Sequence, residues 1–219
     1  MINKQVSSIA AALEGIRDGA TILSAGFGAV GAPDDLLDGL LAMGVRDLVV
    51  VSNNAGSGTR GLAALIHAGM VRKVICSFPR TDDPRAFDAA YKAGRIELEL
   101  VPQGIISERM RAAAAGLGGF YSPVGVGTKL ADGKEVREID GKRYVFEKPL
   151  RGDVALLRAH RADRWGNLAY RKSARNFNPV MAMAAELTVV QTKQMVELGD
   201  IDPECVHTPG IFVDRVVVV

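Results

Sequence analysis

Three carboxamide side chains are the residues of this sequence best suited to hold a polar ligand. Asn53 and Asn54 are adjacent, and Gln103 stands in the segment Val101-Pro102-Gln103-Gly104. A carboxamide both donates and accepts hydrogen bonds, so it can hold a carbonyl or carboxylate oxygen without adding charge. Because Asn and Gly are also common turn residues, a purely structural role for Asn53 and Asn54 stays open.

A second candidate site is the glycine-rich segment Gly26-Phe27-Gly28-Ala29-Val30-Gly31. Three glycines within six residues let a ligand approach the backbone closely. The residues Pro33-Asp34-Asp35 are typical of a helix start, whose free N–H groups attract anions. The G-x-G-x-x-G spacing is a weak indication of a dinucleotide, and no acidic residue follows the next strand. A glycine turn that only packs a strand against a helix is the alternative.

No residue in the sequence is an evident nucleophile or metal ligand. There is no G-x-S-x-G motif, and the three histidines are isolated from one another. The histidines and the two cysteines lack metal-ligand spacing, so we predict no metal site. Cys76 lies in the apolar run Val74-Ile75-Cys76, which favours a buried structural thiol. We therefore predict ligand-binding loops with no catalytic residue in this chain.

The glutamates nearest to Gln103 have simpler interpretations than acid–base catalysis. Glu108 lies within a predicted helix, where an ion pair with Arg109 or Arg111 is expected. Glu97 and Glu99 alternate along a predicted strand and are expected to form a solvated face.

The elements that must position these residues alternate between strand and helix over the first hundred residues. Such alternation, with short loops, predicts a mostly parallel sheet whose ligands sit beyond the carboxyl ends of its strands. An amphipathic helix is predicted near the start, with Val6, Ile9, Leu13 and Ile16 on one face. The predicted strands are residues 21–25, 48–52, 71–78, 96–100, 153–159, 186–191 and 211–219, and further helices are predicted to begin at residues 33, 62 and 83.

The middle of the chain follows another pattern. Residues 116–128 are predicted to form a long Gly/Pro loop, in which Phe120 and Tyr121 are candidates to cover a pocket. Asp132-Gly133 and Asp140-Gly141 separate β-rich runs, which favours antiparallel hairpins. The predicted fold class is α/β, a mostly parallel sheet with flanking helices and a small antiparallel β excursion around residues 129–148, in a single domain over residues 1–219.

Composition excludes several function classes. The chain has 219 residues, 48% of them apolar, and a net charge of +2. At this size about 70% of the surface can be buried, so a sizeable core is expected. The sequence has no block of like charges and few aromatic residues, so it gives no support for binding to nucleic acid or to a membrane surface. With no membrane-spanning run and no secretory signal pattern, the predicted location is the cytoplasm.

Several of these motifs together resemble the α (A) subunit of family I CoA-transferases, and the resemblance covers essentially the whole chain. The family usually has a glycine where Ala25 stands and an apolar residue where Ser24 stands, which bears on the exact conformation of the loop. The resembling segments are residues 18–19, 26–33, 51–56, 76–79, 101–104, 163–168, 174–177 and 208–211.

The resemblance implies that the nucleophile lies on another chain. In these enzymes the acyl-CoA thioester is attacked by a glutamate that lies in a Ser-Glu-Asn-Gly sequence of the β subunit. That tetrapeptide is absent here. The CoA thioester is a substrate, no cofactor is implied, and the expected assembly is α2β2 with the pocket between α and β. The residues implied in substrate and CoA binding are Gly26, Phe27, Gly28, Gly31, Asn53, Asn54, Gln103 and Gly104.

The resemblance also leaves the acceptor acid open. It favours transfer from succinyl-CoA to 3-oxoadipate, with acetoacetate or another short 3-oxo acid as the alternative. Arg80, Arg85 and Arg164 are candidates to bind the distal carboxylate of 3-oxoadipate. Outside this class, a sugar-phosphate isomerase of similar architecture and a non-catalytic ligand-binding module are the competing hypotheses.

Overall fold

The computed structural model describes residues 2–219, which form fourteen strands and six α-helices. The strands are β1 (Gln5–Val6), β2 (Thr21–Ser24), β3 (Leu48–Val51), β4 (Val71–Cys76), β5 (Glu97–Leu100), β6 (Phe120–Ser122), β7 (Val136–Ile139), β8 (Lys142–Glu147), β9 (Gly152–Ala159), β10 (Arg161–Asp163), β11 (Leu168–Ala169), β12 (Ala185–Thr192), β13 (Met195–Val196) and β14 (Arg215–Val218). The helices are α1 (Ile9–Leu13), α2 (Asp34–Met43), α3 (Gly61–His67), α4 (Arg85–Lys92), α5 (Gln103–Ala114) and α6 (Asn178–Ala184).

Eight of the strands form one sheet, in the order β1-β14-β12-β9-β2-β3-β4-β5, and every pairing in it is parallel. The prediction of a mostly parallel sheet with flanking helices is confirmed. From the central pair β2 and β9, the chain continues to β3 on one side and to β12 on the other. Where the strand order reverses in this way, a crevice opens beyond the carboxyl ends of the two strands. The segment after β2 is the glycine-rich one.

Helices cover both faces of the sheet, and successive side chains of its strands point alternately into the two cores. Ile22 and Leu156 belong to the core beneath α1, α2, α3 and α4, whereas Leu23 and Leu157 belong to the core beneath α5 and α6. The three layers explain why the central strands read as continuous apolar runs. They also hold the carboxyl ends of the strands rigidly in place.

Leu156 tests this packing, because it is fully buried at the centre of the sheet beside β2 and β12. We expect Leu156→Ala to lower the free energy of unfolding by about 3 kcal/mol, since the truncated side chain leaves a cavity that rigid neighbours cannot fill. Urea denaturation measures the loss. Leu117→Ala, at a leucine that is 55% exposed, is the control and should change stability by less than about 0.5 kcal/mol. Equal losses in the two variants would contradict the described core.

The antiparallel excursion is confirmed and is larger than predicted. Strands β6, β8 and β7 form a separate three-stranded sheet. Asp140 and Gly141 join β7 to β8 with φ values of +50° and +73°, the left-handed pair that a two-residue hairpin requires. Strand β6 lies inside residues 116–128, so the prediction of a continuous loop there was wrong. Phe120 and Tyr121 are ladder residues opposite β8, and the Tyr121 hydroxyl donates to Glu135. That they cover a pocket stays a prediction.

The two ends of the chain also correct the sequence-based assignment. Val6 was predicted on a helical face but lies in β1 opposite Val217, because pairing there extends the sheet by one strand. The helix that follows is only Ile9–Leu13, and Met1 lies outside the described residues. The last predicted strand begins at Arg215, since Gly210–Phe212 form a 3₁₀ turn.

As expected, the apolar C-terminal strand is internal to the sheet, between β1 and β12. A third small sheet, β11-β10-β13, was not predicted. Among residues 2–219, no helix combines the length and apolar character needed to cross a bilayer. The assignment of residues 1–219 to a single domain stays a prediction.

Candidate functional site

The glycine-rich segment after β2 forms a two-residue hairpin turn. Phe27 and Val30 exchange backbone hydrogen bonds of 3.0 and 3.1 Å, which leaves Gly28 and Ala29 at the tip. Within the described part of the chain, the N–H groups of Gly28 and Ala29 donate no hydrogen bond. The tip therefore offers two backbone donors to a ligand at the crevice between β2 and β9.

Asn176 holds this turn in place from the segment that precedes α6. Its Oδ1 accepts a hydrogen bond from the Gly26 N–H at 3.2 Å, and its Nδ2 donates to the Val30 carbonyl oxygen at 3.0 Å. Its own backbone has a φ of +20°, a strained conformation that persists only where surrounding contacts impose it. Asn176 was missed as a site residue, and the only sequence signal was that the segment 174–177 resembles the family.

Asn53 and Gln103 meet at the carboxyl edge of the sheet, and their role in ligand binding stays a prediction. The Gln103 Nε2 donates to the Asn53 Oδ1 at 2.6 Å, and the Ser77 hydroxyl donates to the same oxygen at 3.1 Å. These residues follow three neighbouring strands, β5, β3 and β4, and this order brings them together. Asn53 is 7% exposed, and its Nδ2 donates to none of the described residues, so its N–H bonds remain for a ligand. Sequence analysis missed Ser77.

Asn54 has a local structural role. Its Oδ1 accepts a hydrogen bond from the Gly56 N–H at 2.9 Å, which is the side-chain-to-backbone turn that Asn commonly forms. Asn54 also lines the same depression as Gly28. The hydrogen bond to Gly56 accounts for Asn54 as a turn residue, and a role for Asn54 in ligand binding stays a prediction.

Five of the eight predicted site residues line two depressions beside the Phe27–Val30 turn. The first, of about 310 Å³, contains Gly28 and Asn54. The second, of about 280 Å³, is lined by Phe27, Gln103, Gly104, Ser107, Asn176 and Phe177. Gly26 and Asn53 line neither and lie two residues beyond the ends of β2 and β3. Gly31 ends the turn against Asn176 and Ala174.

The 310 Å³ depression also holds two carboxyl groups, those of Asp34 and Asp82. Burial raises the pKa of Asp34, and the charges of Arg158 and Arg60 oppose that shift. Sequence analysis had interpreted Asp34 only as a helix-start residue. Cys76, at the end of β4, is fully buried as predicted, and burial raises the pKa of its thiol to about 12. The thiol is therefore protonated and unreactive near neutral pH.

The glutamates near Gln103 are ion-paired. Glu108 pairs with Arg111 at 3.2 Å, as predicted. The prediction that Glu99 lies on a solvated face was wrong, because Lys73 reaches it at 2.8 Å and Arg109 at 3.1 Å. Burial would raise the pKa of Glu99, but the hydrogen bonds from Lys73 and Arg109 outweigh burial and hold that pKa below its usual value. Glu97 is exposed and shares Lys73 at 2.8 Å.

The three arginines considered for a distal carboxylate have other partners. The arginine contacts are Arg80 with Asp88 at 3.0 Å, Arg85 with Asp83 at 2.7 Å and Arg164 with the Ile2 carbonyl oxygen at 3.0 Å.

No group of three or more His, Cys, Asp or Glu residues in the range 2–219 is placed to hold a metal ion.

One family model matches nearly the whole chain. A family model described as "Coenzyme A transferase" matches residues 6–219. The chain is 62% identical over 219 residues to the A subunit of 3-oxoadipate CoA-transferase from Pseudomonas putida, covering 100% of this chain and 95% of that one. The protein of the same name from Acinetobacter baylyi is 55% identical, with 99% and 95% covered. The A subunit of a probable succinyl-CoA:3-ketoacid coenzyme A transferase from Bacillus subtilis is 44% identical, with 99% and 90% covered.

Solved structures share the fold. Glutaconate coenzyme A-transferase from Acidaminococcus fermentans superposes with a TM-score of 0.87 at 22% identity, covering 99% of this chain and 75% of that one. The apoenzyme of an acyl-CoA transferase from Escherichia coli O157:H7 has a TM-score of 0.85 at 25% identity. There the match covers 99% of this chain but 47% of the other, so this chain spans about half the length of that protein.

Proposed function

Because the chain belongs to the coenzyme A transferase family, we propose that it is the A subunit of a transferase that moves CoA from succinyl-CoA to 3-oxoadipate. The observation that carries this proposal is the 62% identity, over all 219 residues, to the Pseudomonas putida protein named for that acid. The Bacillus subtilis relative, named for 3-ketoacids, supports acetoacetate or another short 3-oxo acid as the second candidate acceptor.

The nucleophile in this proposal is a glutamate of a B subunit with the sequence Ser-Glu-Asn-Gly. The relatives are themselves named as A subunits, and the rim of the site is suited to a second chain. Phe27 is 52% exposed, Val30 47% and Phe78 64%, and exposed apolar side chains around a polar cluster are typical of a protein interface. We propose an α2β2 assembly, with the substrate between this chain and the partner, in the cytoplasm.

The proposed reaction has two half-reactions and needs no cofactor, since the CoA thioester is itself a substrate. The glutamate carboxylate attacks the succinyl thioester carbonyl, the C–S bond breaks, and CoA leaves as its thiolate. The thiolate then attacks the glutamyl carbonyl of the mixed anhydride, which forms the enzyme thioester and releases succinate. The 3-oxo acid reverses these steps and leaves as its CoA thioester.

This chain would stabilise the oxyanions that form at each attacked carbonyl. The N–H groups of Gly28 and Ala29 are the proposed donors, because the turn fixes them without a partner of their own. A preorganised donor of this kind contributes about 3 kcal/mol to the transition state. Asn53, oriented by Gln103 and Ser77, would hold a carbonyl or carboxylate oxygen through its Nδ2.

The test is to assay this chain and its B subunit separately and together, with succinyl-CoA and each candidate acid. We expect transfer only in the mixture, with 3-oxoadipate faster than acetoacetate. Mass spectrometry of the mixture after succinyl-CoA alone should find the CoA adduct on the B subunit. The variant Asp34→Asn should leave the adduct there, because Asp34 is not the proposed nucleophile.

Three results would contradict the proposal. Transfer by this chain alone, or a CoA adduct on its Asp34, would place the nucleophile here. Sugar-phosphate isomerisation by the isolated chain would favour the isomerase hypothesis. Ligand binding without transfer in the complete mixture would favour a non-catalytic module.

A further inference from the structure

We propose that a basic depression beside the Phe27–Val30 turn binds the distal carboxylate of a dicarboxylic substrate. This proposal rests on the proposed function and assigns part of its substrate site. The basic depression has a volume of about 300 Å³ and lies at the carboxyl ends of β9 and β12. One wall is Ala29–Gly31 of the turn, and the others carry Arg158, His160, Arg171 and Lys193.

Two exposed cations of the basic depression, Arg171 and Lys193, have no acidic partner among the described residues. In residues 2–219, the side chains of Arg171 and Lys193 form no ion pair or hydrogen bond, and no carboxyl group is among the lining residues. Arg158 is half-buried, and its Nη1 lies 3.5 Å from the Ala32 carbonyl oxygen, while its charge acts on Asp34. A carboxylate bound in the basic depression would be attracted by these unpaired charges. A guanidinium also matches a carboxylate with two parallel hydrogen bonds.

The basic depression lies where it could bind the distal carboxylate of a substrate whose other carboxyl group reacts at the turn. Ala29 lines both the basic depression and the 310 Å³ depression that contains Gly28. The turn therefore borders both the 310 Å³ depression, beside the proposed oxyanion donors, and the basic depression with its unpaired cations. Binding of this kind requires that a short acyl chain with a second carboxylate cross the turn and contact both depressions.

Size favours a carboxylate over the phosphates of CoA as the occupant. A volume of about 300 Å³ is at the lower limit of small-molecule sites, which suits a group of a few carbons better than a nucleotide. The arginines that the sequence suggested for this role are already paired elsewhere. Succinyl and 3-oxoadipyl groups both carry a distal carboxylate, whereas acetoacetate has none.

The test uses the assembled enzyme with Arg171→Gln, Lys193→Gln and the double variant. We measure kcat/KM for 3-oxoadipate and for acetoacetate as acceptors, with succinyl-CoA held saturating. The ratio of the two kcat/KM values should fall about tenfold in each single variant and further in the double variant, because only 3-oxoadipate loses an ionic contact. Arg171→Lys should restore part of the ratio, and inhibition by succinate should weaken in parallel.

Arg137→Gln is the matched control, since Arg137 is exposed on β7 and pairs with Glu135 outside the site. An equal fall for both acids in the Arg171 and Lys193 variants would indicate a contact to CoA and would overturn the proposal. An unchanged ratio would overturn it as well. If the wild-type complex transfers no CoA from succinyl-CoA, the proposed function itself fails, which is a different result. Lys193→Gln is an independent arm because it removes an exposed side chain that the fold does not use.

Discussion

Gly31→Ala is expected to lower kcat/KM of the assembled enzyme about a hundredfold. Gly31 has a φ of +75°, and a Cβ there would lie 2.7 Å from the Asn176 Nδ2 and 2.8 Å from the Ala174 carbonyl oxygen. Neither atom can move freely, because the Asn176 amide is held by the Val30 and Ala174 carbonyl oxygens at 3.0 and 3.2 Å. The turn must shift instead. A displacement of roughly 1 Å in positioning groups costs about a hundredfold in rate.

Gly44→Ala is the control that separates backbone strain from displacement of the turn. Gly44 ends α2 with a φ of +72°, and a Cβ added there would have no heavy atom within 4 Å. Both variants therefore carry the same left-handed strain, about 1 kcal/mol, but only Gly31→Ala collides with neighbours. Gly44→Ala should lose stability and keep wild-type kcat/KM. Near-normal kcat/KM in a folded Gly31→Ala enzyme would show that the turn does not position reacting groups.

Gln103→Ala is expected to lower turnover at least about tenfold while the complex still assembles. The Gln103 Nε2 donates to the Asn53 Oδ1 at 2.6 Å, and losing a donor to a buried amide costs about 1 to 3 kcal/mol. Only the Ser77 hydroxyl would then hold the Asn53 Oδ1, which leaves Asn53 freer to rotate away from the orientation that presents its Nδ2. The measurement is kcat with saturating substrates, together with size-exclusion chromatography of the complex.

A double-mutant cycle shows whether Gln103 acts through Asn53. If it does, Gln103→Ala combined with Asn53→Ala should be little slower than Asn53→Ala alone, because the contact is already gone. Glu108→Gln is the control on the same helix, where the side chain is exposed and pairs only with Arg111. Wild-type turnover in Gln103→Ala would remove Gln103 from the site, and fully additive losses would assign it a separate contact.

Local signals were strong wherever the chain alternates between buried strands and short helices. Leu48–Val51 and the second half of β4, residues 74–76, are apolar because both faces of a parallel sheet are covered. The Asp140-Gly141 turn follows from the left-handed backbone that a tight hairpin needs. Both features depend on residues close in sequence, and both were predictable.

Contacts between distant segments decided the elements that sequence analysis misassigned. Val6 fits an amphipathic helix pattern, yet pairing with Val217 placed it in a strand. Glu99 alternates as a solvated residue would, yet Lys73 and Arg109 enclose it. In each case the deciding partner is remote or lies on another element, so no local pattern contains it.

The sequence by itself determined the α/β class and the amide and glycine segments, because these depend on residue type and on spacing within about ten positions. The family followed from the resemblance of motifs spread along the whole chain. Only the tertiary structure decided that Asn53, Ser77 and Gln103 form one cluster, since three neighbouring strands end at the same edge. It also decided that Asn176 holds a turn 150 residues earlier and that Arg171 and Lys193 face it without acidic partners. Such charges and hydrogen bonds act through space, over distances that chain order does not encode.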